Sequence, residues 1–409
     1  MKLTPFLTCI FLSACTFTAP TFTHAKTAKP TKLIQSTQGF TQFVANLWPD
    51  AQNMGVSRAT FESAFQGVTP DASIIKLTKG QAEFNKPVWE YLNSATSTDR
   101  IRRGAAKDSE WADTLGNVER KYGVDRKVIL GIWGMETGYG ANTGGIYVIR
   151  ALATLAHVKY RDNFFRDELL VALKILEEGH IEKQNMKGSW AGAMGQTQFM
   201  PSSFMKYAVD YNGGGSKDIW TSEQDALAST ANYLKSFGWK QDLVWGLEVE
   251  LPQDFDFKLA DRKVKRSFGQ WSSLGLKPAQ GRKMPTGEAA LFLPAGAKGA
   301  AFLITDNFKV IKKYNNSDSY ALGVALLGDR IGGAEPVQGS WPKDMRSLTK
   351  SESIEVQRRL LALGYPIEKV DGKLGENSRE FIRNFQLKHG VVADGYPTVE
   401  VLKALKRIE

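Results

Sequence analysis

Apolar residues recur with helical spacing over most of the chain, up to about residue 240. Between about residues 241 and 312, short apolar runs alternate with turns that contain Gly and Pro, which favours a small β element. A further helical stretch follows at residues 319–333. The first amphipathic helix is predicted where four apolar residues stand at i, i+3, i+4 and i+7: Phe40, Phe43, Val44 and Leu47. The pattern therefore predicts a mainly α-helical chain with a small β element.

Three more apolar stripes lie close together near the C-terminus. They are Val356, Leu360 and Leu363; Phe381, Ile382 and Phe385; and Val401, Leu402 and Leu405. The turns between them, VDGKLGENS and VADGYPT, look like a weak internal repeat. Three short helices around so few apolar residues make a marginal core, which is typical of a binding module. We expect a leader at 1–25 (or 1–14), a main domain at 30–332, a linker at 333–346 and a three-helix module at 347–409.

One carboxylate continues an apolar stripe. Asp125 is a good helix N-cap, and the stripe that follows consists of Val128, Ile129, Ile132 and Trp133. Glu136 lies four residues after the third member of that stripe, so it is predicted to face the interior, and the glycines beyond it end the helix. Burial and the negative end of the helix dipole are both expected to raise the pKa of Glu136, as a general acid at neutral pH requires.

A second segment, KGSWAGAMGQTQFMPSSF at residues 187–204, packs small residues and amides together with no charge after its first residue. Gly192 and Gly195 are expected to let a ligand approach the backbone closely. Ser189, Gln196 and Gln198 offer neutral hydrogen bonds of the kind that suit sugar hydroxyls and N-acetyl groups. The segment therefore suggests a saccharide site, although a plain glycine-rich turn would read the same way.

These two segments together carry a family resemblance. Glu136 in GMETGYG, followed about fifty residues later by GSWAGAMGQTQFMPSSF, resembles the lytic murein transglycosylases of the B type. Four further motifs agree: QAEF (81–84), ALATLA (151–156), DALASTANYLKSFGW (225–239) and KKYNNSDSYALGV (312–324). The C-terminal DGKLGENSREFIRNFQ is similar to the three-helix peptidoglycan-binding module, apart from Phe381, where that family usually has a small residue.

The resemblance implies a lysozyme-like catalytic domain that cuts the β-1,4 bond between N-acetylmuramic acid and N-acetylglucosamine without water. Glu136 would act first as acid and then as base, leaving a 1,6-anhydro muramic end. The family positions that contact substrate correspond to Tyr91, Ser189, Met194, Gln198, Tyr233, Tyr314, Asn315 and Tyr320. Two alternatives stay open, a hydrolytic muramidase and a wall-binding scaffold without activity. Hydrolysis would normally need a second carboxylate, and the nearest candidates, Asp162, Asp167 and Glu168, are expected on a solvated helix face.

Relatives also carry a calcium loop, which is degenerate in DYNGGGSKDIWTSEQD. Asp210, Asn212, Gly215 and Ser216 fit its positions 1, 3, 6 and 7. Gly214 and Thr221 occupy two positions that normally supply ligands, and only Asp225 could replace the missing bidentate carboxylate. We therefore expect no required cofactor and no metal among the site residues, with calcium binding at the degenerate loop Asp210–Asp225 as the less favoured alternative.

Composition and the N-terminal residues indicate the cellular compartment and the charge of the partner. The chain is 42% hydrophobic with a formal net charge of +10, which excludes disorder and suits a polyanionic partner. Both cysteines, Cys9 and Cys15, lie in an N-terminal leader typical of export to the periplasm. Cleavage after Ala25 and lipidation of Cys15 both fit, the latter giving an outer-membrane lipoprotein. The expected partners are peptidoglycan glycan strands, with other cell-wall enzymes as further candidates. We expect a monomer and no nucleic-acid binding, since the C-terminal module is not a basic patch.

Overall fold

The computed structural model describes residues 37–80 and 87–408; the leader with its cysteines and the QAEF motif lie outside these residues. The described chain forms two compact units, one from residues 37–80 and 99–237 and the other from residues 87–98 and 238–408. Most of it is helical, which confirms the predicted fold class. No helix among the described residues is both long and apolar enough to cross a membrane.

Seventeen α-helices occur in the described residues. They are α1 (Thr37–Asn53), α2 (Arg58–Phe65), α3 (Ala72–Gly80), α4 (Val88–Ala95), α5 (Thr98–Glu110), α6 (Ala112–Tyr122), α7 (Arg126–Thr137), α8 (Val148–His157), α9 (Phe164–Glu177), α10 (Pro201–Tyr207), α11 (Glu223–Ser236), α12 (Phe268–Ser273), α13 (Asp306–Tyr314), α14 (Asp318–Ile331), α15 (Lys350–Ala362), α16 (Glu376–Lys388) and α17 (Val399–Lys406). The strands are β1 (Ile146–Tyr147), β2 (Lys187–Gly188), β3 (Gly246–Glu250), β4 (Arg266–Ser267), β5 (Lys277–Pro278), β6 (Glu288–Phe292) and β7 (Ala301–Ile304).

The first unit is helical apart from a short antiparallel pair, β1 with β2. Helix α7 lies at its centre, because residues on all sides of this helix are buried, including Leu130 and Gly131 as well as the predicted stripe. Helix α8 is also buried along most of its length, whereas α9 buries one largely apolar face. A short helix buried on every side is held rigidly by its neighbours, so it can fix the position of a polar group at its end.

The predicted β element is a five-stranded antiparallel sheet in the second unit, in the order β4-β6-β7-β3-β5. Leu247, Leu291 and Leu303 line one face and pack against Phe268 and Trp271 of α12. The other face is also covered, because aromatic rings of the sheet, of the residue before β3 and of α13 pack against one another there. These rings are Trp245, Phe292, Phe302 and Phe308. Burial of both faces explains why the sheet segments read as apolar runs.

The three C-terminal helices α15, α16 and α17 pack around one small core, as their stripes predicted. Leu363 is the exception, since it follows α15 and is 43% exposed. The repeated turns are held by one glutamine each. Gln357 Oε1 accepts hydrogen bonds from the amides of Asp371 and Gly372, and Gln386 Oε1 accepts one from Gly395. The internal repeat is therefore a repeated contact between a buried amide and an Asp-Gly turn.

Candidate active site

The buried carboxylate of Glu136 stands in the last turn of α7. Asp125 begins this helix and accepts a hydrogen bond from the Lys127 amide (2.9 Å), as predicted. Glu136 is 9% exposed, and Gly138 ends the helix with a left-handed backbone (φ 60°). The prediction that Glu136 continues the apolar stripe is thus confirmed by its burial.

The turn after Glu136 is locked by an aromatic ring that sequence reasoning did not single out. Tyr139 has φ 62°, packs its ring edge-on against Trp133 (centroids 5.7 Å apart) and donates its hydroxyl to the Arg100 carbonyl at 2.9 Å. Burial raises the pKa of Tyr139, which keeps the phenol a hydrogen-bond donor. A Cβ on Gly134 would lie 2.6 Å from this ring, so the ring can pack against α7 only because residue 134 has no side chain.

The two motif segments meet at Gln196. Its Oε1 accepts a hydrogen bond from Trp133 Nε1 (3.0 Å), and its carbonyl accepts one from Thr137 Oγ1 (2.5 Å). Both donors belong to α7, on either side of Glu136 in the sequence. Gln196 therefore braces the helix that carries the carboxylate. Its amide oxygen is therefore engaged within the protein.

The glycines of the second segment serve the protein's own packing. A Cβ on Gly192 would lie 2.3 Å from Leu152 Cδ2, and one on Gly195 would lie 2.5 Å from the Ile219 carbonyl oxygen. Both residues also have positive φ, 83° and 70°. The expectation that they open the backbone to a ligand is therefore wrong, because protein atoms already occupy that space.

The predicted contact residues of this segment differ in what their side chains do. Ser189 Oγ accepts hydrogen bonds from the amides of Ala191 and Ala193, which shapes the turn. Gln198, at φ 57°, donates Nε2 to the carbonyls of Thr143 and Gly195 at 3.1 and 2.9 Å. Met194 is fully buried, so in this structure it contacts protein on all sides. Tyr233 of α11 is 7% exposed and lies in a cluster of rings with Phe199, Tyr207 and Phe237.

The remaining predicted residues belong to the second unit. Tyr91 lies on α4 and is half-buried. The others surround the α13–α14 junction, where Tyr314 ends α13 and Tyr320 stands in the first turn of α14 with 3% exposure. Asn315 is 4% exposed, and within the described residues its Oδ1 accepts no hydrogen bond. A buried acceptor without a donor is costly, which makes Asn315 a candidate to receive a donor from a ligand.

The alternative carboxylates are placed differently from what was expected. Glu168 is 5% exposed instead of solvated, and it accepts hydrogen bonds from the Ser202 amide (2.8 Å) and hydroxyl (2.6 Å) at the start of α10. Burial raises the pKa of Glu168, while the bonds from Ser202 oppose that rise. The sequence around Glu168 did not show that it would bind the start of α10, because Ser202 lies 34 residues away. Asp162 and Asp167 are exposed.

The degenerate loop is closed by its own backbone. The carboxylate of Asp210 accepts hydrogen bonds from the amides of Gly213, Gly214 and Gly215 at 2.7–3.0 Å, and these bonds lower its pKa. Asp225 accepts the amides of Tyr211 (3.0 Å) and Asp218 (2.8 Å), while burial raises its pKa. Across residues 37–80 and 87–408, no three His, Cys, Asp or Glu side chains are grouped as metal ligands would be.

Comparisons with known proteins agree with the motifs. Residues 39–329 match a family model described as the transglycosylase SLT domain, and residues 349–405 match one described as a peptidoglycan binding domain. The membrane-bound lytic murein transglycosylase B of Escherichia coli is 35% identical over 247 residues, which span 59% of this chain and 66% of that protein.

Two solved structures extend the comparison. SltB3 of Pseudomonas aeruginosa in complex with NAG-anhNAM-pentapeptide is 45% identical with a TM-score of 0.85, covering 90% of this chain and 100% of that chain. The Escherichia coli lytic transglycosylase Slt35 in complex with calcium is 29% identical with a TM-score of 0.60, covering 75% of this chain and 98% of that chain.

Proposed function

This chain belongs to the transglycosylase SLT family, and we propose that it cleaves the MurNAc–GlcNAc β-1,4 bond of peptidoglycan with Glu136 as its acid–base residue. The family confirms the resemblance that the motifs carried. The observation that carries the proposal is the burial of Glu136 at the end of α7, in a turn that Gln196 and Tyr139 brace from two sides. Burial and the carbonyl end of the helix both disfavour the charged carboxylate, so the group is suited to donate a proton.

The proposed reaction needs only one carboxyl group. Protonated Glu136 gives its proton to the glycosidic oxygen as the bond to C1 breaks. The resulting carboxylate then takes the proton from the C6 hydroxyl as that oxygen closes on C1, which yields the 1,6-anhydro end and restores the acid. Glu168 would be the buried candidate for a second carboxylate, but its oxygens are engaged at the start of α10. The anhydro-muramyl ligand bound to SltB3 supports this product class.

Product analysis tests the proposal directly. Purified sacculi digested with the protein should release muropeptides lighter by one water than those that a hydrolytic muramidase releases from the same sacculi. Mass spectrometry separates the two products. Reducing muramic ends as the main product would show hydrolysis instead, and no product from well-folded protein would support the non-catalytic scaffold.

The substrate contacts are part of the same proposal. The proposed contact residues are Tyr91, Ser189, Gln198, Tyr233, Tyr314, Asn315 and Tyr320. Asn315 has the strongest independent support, because its buried Oδ1 needs a donor such as a sugar hydroxyl or an acetamido N–H. Met194 could touch a sugar only after a movement of residues 187–204, since its side chain is fully covered.

The remaining expectations concern organisation and location. We propose the boundaries 30–332 for the catalytic domain, 333–346 for the linker and 347–409 for the wall-binding module. We also propose export to the periplasm through the leader, as a monomer that is either soluble or anchored through Cys15. Palmitate labelling of the chain and of its Cys15→Ser variant would distinguish these two forms. Other cell-wall enzymes stay the candidates for protein partners.

We further propose that the Asp210 loop folds without calcium, since backbone amides already bind its two main carboxylates. Calcium at millimolar concentration or EDTA should therefore shift Tm by less than about 1 °C, because a ligand stabilises only what it binds. Differential scanning calorimetry measures this, with Slt35 run alongside. Asp210→Ala should speed hydrogen exchange at the amides of Gly213–Gly215, and calcium should not slow it again. Saturable calcium binding by titration calorimetry would overturn the proposal.

A further inference from the structure

Helix α16 of the C-terminal module carries two functional faces. One face is apolar and places Ile382 and Phe385 in the core of the module. The other bears charged residues at i, i+3, i+4 and i+7, which we call the ionic face: Glu376, Arg379, Glu380 and Arg383. This spacing puts all four on one side of the helix. The ionic face contacts the sheet region of the same unit.

Two residues of the ionic face hold the module against the loop that follows β3. Arg383 is 8% exposed and binds Asp261 at 2.5 Å and the Lys258 carbonyl at 3.3 Å. Lys263 binds Glu380, also at 2.5 Å. A buried cation needs an anion at a defined position. If the module shifted so that Arg383 no longer contacted Asp261, the buried guanidinium would lose its counter-charge. The module is therefore seated at one position and is more than a tethered anchor.

Further contacts between the module and the sheet region lie along and beside the ionic face. Arg379 donates to the carbonyls of Leu293 and Pro294 at 3.4 Å, beyond the end of β6. Asp394, in a turn of the module, accepts the amide of Ala297 at 2.9 Å. These bonds join the module to the backbone between β6 and β7. Backbone acceptors and donors at fixed places add orientation to the attraction between charges.

At its N-terminal end, the ionic face reaches an ion cluster. Glu376 lies 3.6 Å from Lys312 Nζ and 4.0 Å from Arg262 Nη2. Both cations bind Asp318, with Arg262 donating two bonds (2.7 and 3.2 Å) and Lys312 one contact at 2.8 Å. Burial alone would raise the pKa of Asp318, but these two cations hold it well below its usual range. The cluster thus consists of two anions that share two cations.

This cluster brackets the α13–α14 junction. Lys312 is in the last turn of α13, and Asp318 is the first residue of α14. Between them, the Ser317 amide donates to the Asn315 carbonyl (2.7 Å), and Ser317 Oγ accepts from the Tyr320 amide (3.3 Å). Both ends of residues 312–318 are therefore fixed by ion pairs, and Glu376 of the module contacts the cations that fix them.

We propose that the C-terminal module positions the substrate-contacting junction of residues 312–320 as well as binding the wall, with Glu376 as the positioning residue. The proposal rests on the proposed function, because it takes Tyr314, Asn315 and Tyr320 to contact the glycan. Glu376 touches no substrate in this scheme. It acts through Lys312 and Arg262, whose positions set the direction in which α13 ends and α14 begins.

A soluble substrate separates positioning from wall targeting. The full-length chain, its Glu376→Gln variant and the matched control Glu368→Gln would be assayed on a short, uncross-linked glycan oligomer free in solution. Glu368 is exposed on the same module, so both variants change the module by the same charge. We expect Glu376→Gln to raise KM about five-fold with kcat changed less than two-fold. The control should match wild type, and both variants should be retained on sacculi as wild type is.

A charge swap gives a second, independent test. Arg383→Glu should place like charges opposite Asp261 and lower kcat/KM on the soluble oligomer about ten-fold. The double variant Asp261→Arg with Arg383→Glu should regain at least half of the loss, which a general destabilisation would not do. Unchanged KM in Glu376→Gln, with no rescue in the swap, would overturn the proposal even if Tm falls. If Arg383→Glu does not fold, the near-isosteric Glu376→Gln decides, and absence of turnover by wild type would count against the proposed function instead.

Discussion

Replacing Glu136 by Gln should reduce the turnover of peptidoglycan by about 10³–10⁴-fold, because one carboxyl group is proposed to act as both acid and base. Glutamine keeps the shape of the side chain but cannot donate a proton to the leaving oxygen or accept one from the C6 hydroxyl. Release of soluble muropeptides from sacculi measures the loss. Binding of the variant to sacculi, by co-sedimentation, should equal that of wild type, since the C-terminal module is unchanged.

Two controls make this result specific. Glu62→Gln alters an exposed glutamate on α2, where both partners of an ion pair with Arg58 (2.7 Å) are more than half exposed, and turnover should stay within two-fold of wild type. The Tm of Glu136→Gln should be close to that of wild type, because glutamine keeps the shape of the side chain and, like the protonated acid, carries no charge. A variant that keeps a tenth or more of wild-type turnover would remove Glu136 from its proposed role.

Local features of the molecule could be predicted because they depend on neighbours in the sequence. The Asp125 cap and the buried position of Glu136 follow from spacing within a single helix. The same holds for the three stripes of the C-terminal module, where only Leu363 fails because α15 ends one residue earlier. Helical periodicity reports which face is covered, and it succeeds where the covering layer is apolar.

The roles that could not be predicted depend on partners far away in the chain. Gln196 accepts a hydrogen bond from Trp133, 63 residues away in the sequence. The residues around Gln196 therefore showed that a side-chain amide was present but not which group it would bind. Glu168 lies on a helix whose pattern did not distinguish a solvated face from one that caps another helix. The ionic face of α16 also has partners far away in the chain, since Arg383 binds Asp261 and Glu380 binds Lys263 of the sheet region. Periodicity marks a polar face but does not identify what that face meets.

Replacing Gly134 gives the second large effect that we expect, this time on stability. In Gly134→Ala, the new Cβ would lie 2.6 Å from the ring of Tyr139, which Trp133 and the Arg100 carbonyl hold in place. Overpacking, together with distortion of the hydrogen bond from the Tyr139 hydroxyl, should lower the free energy of unfolding. The expected net loss is about 2–4 kcal/mol, once the roughly 1 kcal/mol gained from helix propensity has been subtracted. At about 2–4 °C per kcal/mol, Tm should fall by roughly 4–16 °C.

The matched control is another helical glycine with the opposite expected sign. A Cβ on Gly116 in α6 would meet only the mobile end of Arg120 at 3.6 Å, so Gly116→Ala should raise the free energy of unfolding by about 0.5–1 kcal/mol. Turnover should fall at least ten-fold in Gly134→Ala, since the turn after Glu136 must shift, and stay unchanged in Gly116→Ala. Combining Gly134→Ala with Tyr139→Gly should cost less than the sum of the single changes, because φ 62° at that position suits glycine and the clash disappears with the ring. Additive effects would show that the Tyr139 ring does not lock this turn, and the rigidity of the helix end that presents Glu136 would then need another source.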